Sequence, residues 1–292
     1  MPGFLPDSKE VRSDILDYAL EIGWFDRHLD GMLRLLEARG ELENTIVAVT
    51  SDNGMPFPRA KATLYDYGTR MPLAIRWGDR VKPGRGIDDF IGLADLAPTF
   101  LEAAGIPVPV AMTGRSLMPL LLSNRSGRVD AERDFAVFGL ERHFPGSRPN
   151  GAGYPMRAIR TETYLYIENR MADQNPSGDH PGPVWPDDDP TGGFGDTDGS
   201  STKTFLCQRR DAYPELYRLA FGKRPSEELY DVNRDPYNLN NLAGDSKYAG
   251  IKKNLAAKLH AYLVQTEDPR ETGQGERFDE IMKRFPVLRN NR

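Results

Sequence analysis

The chain has 292 residues, 39% of them hydrophobic, enough for a sizeable core in one large domain or two ordinary ones. Its 38 basic and 43 acidic residues leave a net charge of -5, which gives no bulk attraction to nucleic acid or an anionic membrane, so recognition of a polyanion would fall to local clusters of Arg, Lys and His. No run reaches transmembrane length and the opening MPGFLPDSKEV has neither a basic leader nor an apolar core, so the chain as written reads as soluble and unexported, and the lone Cys207 excludes an internal disulfide.

From Ser8 to Gly40, Ile15, Tyr18, Ile22, Phe25, Leu29, Met32 and Leu36 recur at spacings of three and four. This predicts a long amphipathic helix that covers a sheet and is closed by Gly40. Asp26 and His28 on it read as solvated or packing residues. After a short polar link, Ile46 to Val49 form a continuous, partly β-branched apolar run, expected to be a strand buried on both faces. It ends in Ser51-Asp52-Asn53-Gly54. Oxygen-bearing side chains at the carboxyl end of such a strand suit a ligand site, and the same tripeptide is also a common turn signal.

Lys61 and the string Tyr65-Asp66-Tyr67-Gly68-Thr69-Arg70-Met71-Pro72 follow. Leu73 to Trp77 and Ile87 to Ile91 read as strands, and Leu93 to Gly105 as a helix with Asp95 at its start. Gly114-Arg115-Ser116-Leu117 and Pro119-Leu120-Leu121 precede the polar, turn-rich stretch 123–128, a candidate boundary. Beyond it, Phe135 to Phe138, Met156 to Arg160, Tyr164 to Ile167 and Glu228 to Asp231 predict a small antiparallel sheet, with a closing helix over Ile251 to Val264.

Between these strands lies Glu141 to Asn150. Its Arg142, His143 and Arg148 suit contact with a carboxylate or sulfate, and a solvated basic loop is the alternative. The stretch from Asp173 to Lys203, with Pro181-Gly182-Pro183, Trp185 and Asp187-Asp188-Asp189, reads as an irregular insertion that either borders a cleft or covers the surface. Its Asp triplet reads as solvated.

Asp52-Asn53-Gly54, Lys61, Tyr65-Asp66, Gly68, Arg70 and Pro72 together resemble the sulfatase family pattern S-D-N-G, K, [YW]-[DE]-x-G-x-R-x-P. Pro56-Phe57-Pro58 and Leu64-Tyr65 are similar to its heparan N-sulfatase (sulfamidase) branch. The D-L-x-P-T-F-L segment from Asp95, the G-x-S-L-x-P-L-L segment from Gly114 and the E-L-Y-D segment from Glu228 extend the likeness to the carboxyl-terminal part of the chain. The resemblance implies an α/β fold: residues 1–128 as the back half of an alkaline-phosphatase-like catalytic domain, and residues 129–292 as a small α+β carboxyl-terminal subdomain with an antiparallel sheet and an irregular insertion near 173–203.

It implies hydrolysis of sulfate esters or sulfamates on a sulfated glycan or small molecule. Asp52 and Asn53 would be ligands of one Ca²⁺, and Lys61 the catalytic cation that contacts sulfate; Asn53, where related zinc phosphatases tend to place histidine, argues against zinc. The C-x-[PS]-x-R motif that supplies the family's formylglycine nucleophile is not matched by Cys207, which reads as an ordinary packed thiol. The expectation is therefore a fragment that is inactive alone, with a half-present calcium site. The alternative is a non-catalytic remnant that at most binds sulfated sugar. The family suggests a periplasmic or secreted location.

Overall fold

In the computed structural model, which describes residues 1–144, 146–182, 184 and 189–283, α1 runs from Lys9 to Ala38. Pro183, Trp185, Asp187 and Asp188, named above, and Pro145 of the stretch Glu141 to Asn150 lie outside the described residues. The Ser8 hydroxyl accepts from the Val11 amide, and Gly40 takes φ 70° as the Glu41 amide caps the Leu36 carbonyl. In chain order there follow β1 (Val47–Thr50), α2 (Asp66–Thr69), β2 (Leu73–Arg76), α3 (Leu96–Ala103), α4 (Met118–Leu121), β3 (Phe135–Leu140), β4 (Met156–Thr161), β5 (Tyr164–Asn169), α5 (Ser201–Gln208), α6 (Pro214–Phe221), β6 (Glu227–Asp231), α7 (Ala249–Gln265) and α8 (Arg277–Lys283). Among the described residues no helix is long and apolar enough to cross a membrane.

The chain divides into two compact units, one of residues 1–19, 52–71 and 137–292, the other of residues 20–51 and 72–136. In the second, β1 pairs antiparallel with β2, Ala48 opposite Ile75. Trp77, Val81, Leu117, Leu120 and Leu121 form its buried core. The segments from Asp95 and Gly114 are structural here. Asp95 accepts from the Gly92 and Arg115 amides and pairs with Arg133 at 2.7 Å, while the Thr99 hydroxyl accepts from the Leu117 amide. A Cβ on Gly114 would lie 2.2 Å from the Ala94 carbonyl oxygen, so this crossing needs glycine.

Three expectations are corrected. β1 is half-buried along its length rather than buried on both faces, because β2 is its one strand partner among the described residues. The stripe of α1 is not covered by a sheet: Val11 is buried, but Ile22, Phe25 and Met32 are exposed. A 30-residue helix is roughly 45 Å long, and two strands about 5 Å apart are too narrow to cover it. Ile87 forms an isolated bridge with Gly127 instead of a strand.

The first unit holds the antiparallel sheet in the order β3-β4-β5-β6. Ala158 faces Ile167 and Leu165 faces Tyr230 across it. One face buries Tyr154, Met156, Ala158, Leu165, Ile167 and Tyr230 against Leu64 and Tyr65, which ties the loop before α2 to the sheet. α7 buries Leu255, Leu259 and Leu263 at the four-residue spacing of a packed helix face. Each such burial contributes about 1.5–3 kcal/mol.

Among its described residues the insertion is irregular up to Ser200, whose hydroxyl accepts from the Lys203 amide to start α5. Asp189 is not solvated, as its place in an acidic triplet suggested. Its side chain and that of Lys203 are both fully buried, paired at 2.6 Å, with Thr191 donating to Asp189 through amide and hydroxyl. Isolated burial of either charge would be prohibitive, and mutual pairing with the Thr191 and Thr197 hydrogen bonds offsets that cost.

Candidate functional site

The loop from Asp52 to Gly68 is closed on itself. The Gly54 amide donates to the Gly68 carbonyl, and the Met55 carbonyl accepts from both the Phe57 and Lys61 amides. A Cβ at Gly54 would meet the Tyr67 carbonyl oxygen at 2.0 Å, and one at Gly68 the Ala60 carbonyl oxygen at 2.5 Å. Backbone cannot yield as a side chain can. Gly54→Ala is expected to cost about 1–3 kcal/mol, read as a lower urea midpoint at unchanged slope; an unchanged midpoint would show that the closure is not needed.

Arg59 and Ala62 hold φ of 63° and 61° on either side of Lys61, conformations that side-chain-bearing residues seldom adopt. The strain at Arg59 is offset by burial of its guanidinium, which donates to the Leu219 and Asn238 carbonyls and lies 3.9 Å from the centre of the Tyr65 ring. Tyr65 is fixed in turn: its hydroxyl donates to Glu228 at 2.8 Å, and Glu228 also accepts from Tyr230 and from Asn169. Burial raises the Tyr65 and Tyr230 hydroxyls above their usual range, so both remain protonated donors. Asp66 forms a bidentate pair with Arg160 at 2.9 and 3.0 Å. The Tyr65-Asp66 string therefore anchors the loop that presents Lys61.

Lys61 Nζ lies 2.7 Å from Asp198 Oδ2, and His143 Nε2 lies 3.5 Å from Asp198 Oδ1. Each of these side chains is about a quarter exposed: 26% for Lys61 and His143, 24% for Asp198. The structure thus brings Lys61 and His143 together. It commits the other expected substrate contacts to internal bonds. Arg142 donates to the Gly151 and Phe278 carbonyls and to Asp279. Arg148 is buried, donates to the Asn175 and Pro176 carbonyls and pairs with Asp196 at 2.7 Å. The physical reason for Arg148 is Asp196, a buried carboxylate that also accepts from the Phe144 amide and the Ser147 hydroxyl and needs a counter-charge.

Asp52 is exposed and accepts from the Asn53 amide, while the Asn53 side chain donates to the Gly54 carbonyl. Carboxylate and amide oxygens suit a hard cation in kind. In number they are a fraction of the roughly six to eight oxygens that calcium takes. Among the described residues there is no group of three or more His, Cys, Asp or Glu side chains placed to hold a metal ion. The Cys207 thiol is pushed up to about 11 by burial, which makes it a poor nucleophile at neutral pH. Asp198 and the buried pairs beside it were not legible in the sequence: Asp198 is 137 residues from Lys61, and no spacing rule joins them.

Comparison with known proteins follows the same residues. Residues 3–106 match the family model described as Sulfatase, and residues 59–171 the one described as N-sulphoglucosamine sulphohydrolase, C-terminal. Human N-sulphoglucosamine sulphohydrolase is 30% identical over 280 residues, covering 92% of this chain and 51% of its own length. A structure solved in complex with its substrate D-glucosamine-2-N,6-O-disulfate is 25% identical with a TM-score of 0.55, covering 83% of this chain and 39% of the other. That of a 2-O GAG sulfatase, at 21% identity and TM-score 0.57 over 84% of this chain and 42% of the other, supports the alkaline-phosphatase-like α/β fold. The chain spans about half the length of the human relative. On these matches the chain belongs to the sulfatase family, its residues 59–171 matching the carboxyl-terminal model of the N-sulphoglucosamine sulphohydrolase branch.

Proposed function

We propose that this chain carries the sulfate-facing and sugar-facing residues of a sulfuric ester or sulfamate hydrolase acting on a sulfated glycan. The observation that supports this best is the presentation of Lys61 by a strained, glycine-closed loop beside His143. Lys61 is read as the cation that binds sulfate and offsets charge on its oxygens. His143 is read as a direct substrate contact, with Arg142 and Arg148 holding its segment in place. Asp52 and Asn53 would contribute oxygens to one calcium ion, whose chemistry when bound is to draw negative charge from a sulfuryl group. The division into residues 1–128 and 129–292 belongs to the same reading.

The attacking group is not among these residues, and a protonated, half-buried Cys207 does not supply it. The purified chain is therefore expected to bind D-glucosamine N-sulfate weakly, with Kd on the order of 1 mM, and to release no sulfate. Calorimetric titration and an assay of free sulfate check both. Lys61→Ala should abolish the binding. Sulfate release by the chain alone would overturn the account of the nucleophile, and binding that survives Lys61→Ala would remove Lys61 from the site. If the chain binds the sugar sulfate but a fusion completed with the amino-terminal part of a relative never turns it over, the non-catalytic reading holds instead.

A further inference from the structure

Asp198 is the least expected member of the Lys61 cluster, since a carboxylate beside a sulfate-binding lysine opposes the anion that the lysine attracts. A large amount of buried polar structure nonetheless fixes the segment that carries it. Two residues before Asp198, Asp196 is buried and held by Arg148, the Ser147 hydroxyl and the Phe144 amide. Its own amide donates to the Ser177 carbonyl. Immediately before Asp198, the Thr197 amide donates to the Phe194 carbonyl, and the Thr197 carbonyl accepts from the buried Lys203 ammonium at 3.0 Å. Immediately beyond Gly199, Ser200 caps α5, and the Thr202 amide donates to Asp14. Buried ion pairs of this kind contribute little net stability, but with these backbone bonds they hold the segment at both ends. What they fix here is the place of one carboxylate, about a quarter exposed, between Lys61 and His143.

A carboxylate offers about four acceptor positions, and Lys61 takes one at 2.7 Å while His143 stands at 3.5 Å from the other oxygen. Acceptor capacity therefore remains on the exposed side of Asp198, next to the cation read as the sulfate contact. A sulfate has no proton to donate to it. A sugar hydroxyl or ammonium beside the sulfated position does.

We propose that Asp198 is a specificity-determining residue: its carboxylate accepts a hydrogen bond from a hydroxyl or ammonium group of the sugar ring whose sulfate meets Lys61. The cluster then selects sulfated sugars and discriminates against bare sulfate and aryl sulfates, which place anionic oxygens near Asp198 with no donor to match it. The inference rests on the reading of Lys61 as the sulfate contact.

The test titrates the full chain, by calorimetry or chemical-shift perturbation, with D-glucosamine N-sulfate, phenyl sulfate and inorganic sulfate, using wild type, Asp198→Asn and Asp198→Ala. Asp198→Asn keeps the shape of the side chain and guards against misfolding in the alanine variant. The wild type is expected to prefer the sugar about tenfold or more, the size of a lost hydrogen bond to a charged group. Both variants should lose that preference, with phenyl sulfate affinity unchanged or raised because a repelling charge has gone. An equal loss for both organic probes would make Asp198 only a brace for Lys61 and overturn the proposal, as would folded variants that keep the sugar preference. A wild type that binds none of the three overturns the sulfate reading itself, and the role of Asp198 falls with it.

Discussion

Lys203→Ala is expected to destabilise the chain by about 3–5 kcal/mol, the cost of leaving the Asp189 carboxylate buried without its partner. The Lys203 and Asp189 side chains are both at 0% exposure, and the lysine also donates to the Thr197 carbonyl, so removal breaks two bonds inside the insertion. Urea unfolding followed by circular dichroism measures it. The control is the double variant K203M/D189L, which replaces charge with apolar volume and should recover most of the loss. A single-variant loss below about 1 kcal/mol would mean that solvent reaches the pair.

The same pair sets an acid dependence. Burial pushes the Asp189 carboxyl up, but the Lys203 ammonium and the Thr191 donors outweigh it and hold the group below its usual 3.8. A depressed folded value means that the contribution is present in full above the unfolded value and lost as pH falls through the folded one. The stability gap between wild type and K203M/D189L should therefore be constant above about pH 5 and change only below about pH 4. Because this pair fixes the segment next to Asp198, acid that leaves the fold intact should also weaken the sugar preference.

Lys61→Ala carries the largest expected effect on function. In an enzyme completed by fusing the amino-terminal part of a sulfatase relative to this chain, kcat/KM should fall roughly ten- to a thousandfold, as it does when one contact to developing negative charge is removed. The loss should lie toward the upper end, since the substitution also exposes sulfate to an Asp198 no longer neutralised at 2.7 Å. Lys61→Arg should restore part of it, because charge is kept while the geometry of the donor changes. Wild-type kinetics in Lys61→Ala would take this residue out of the reaction.

The sequence by itself determined the family and most of the local architecture, because these are written in contiguous residues. The string from Asp52 to Pro72 needs no partner to be recognised, and the strands at 156–160, 164–167 and 228–231 and the helix at 251–264 follow from short-range hydrophobic pattern. Gly54 and Gly68 are required by close backbone approach inside one loop, which is why they stand in the motif. Tertiary structure decided the rest. Whether the apolar stripe of α1 is covered depends on what packs on it, and periodicity carries no information about the partner: Ile22, Phe25 and Met32 are exposed in a helix the pattern described correctly. The fate of a charge depends likewise on its neighbours in space. Asp189, Arg148 and Asp198 look alike as polar residues in loops, yet two are buried as counter-ions and the third stands at the surface of the site. Electrostatic pairing acts over a few ångströms between residues that lie far apart in the chain, so only folding reveals which charges meet.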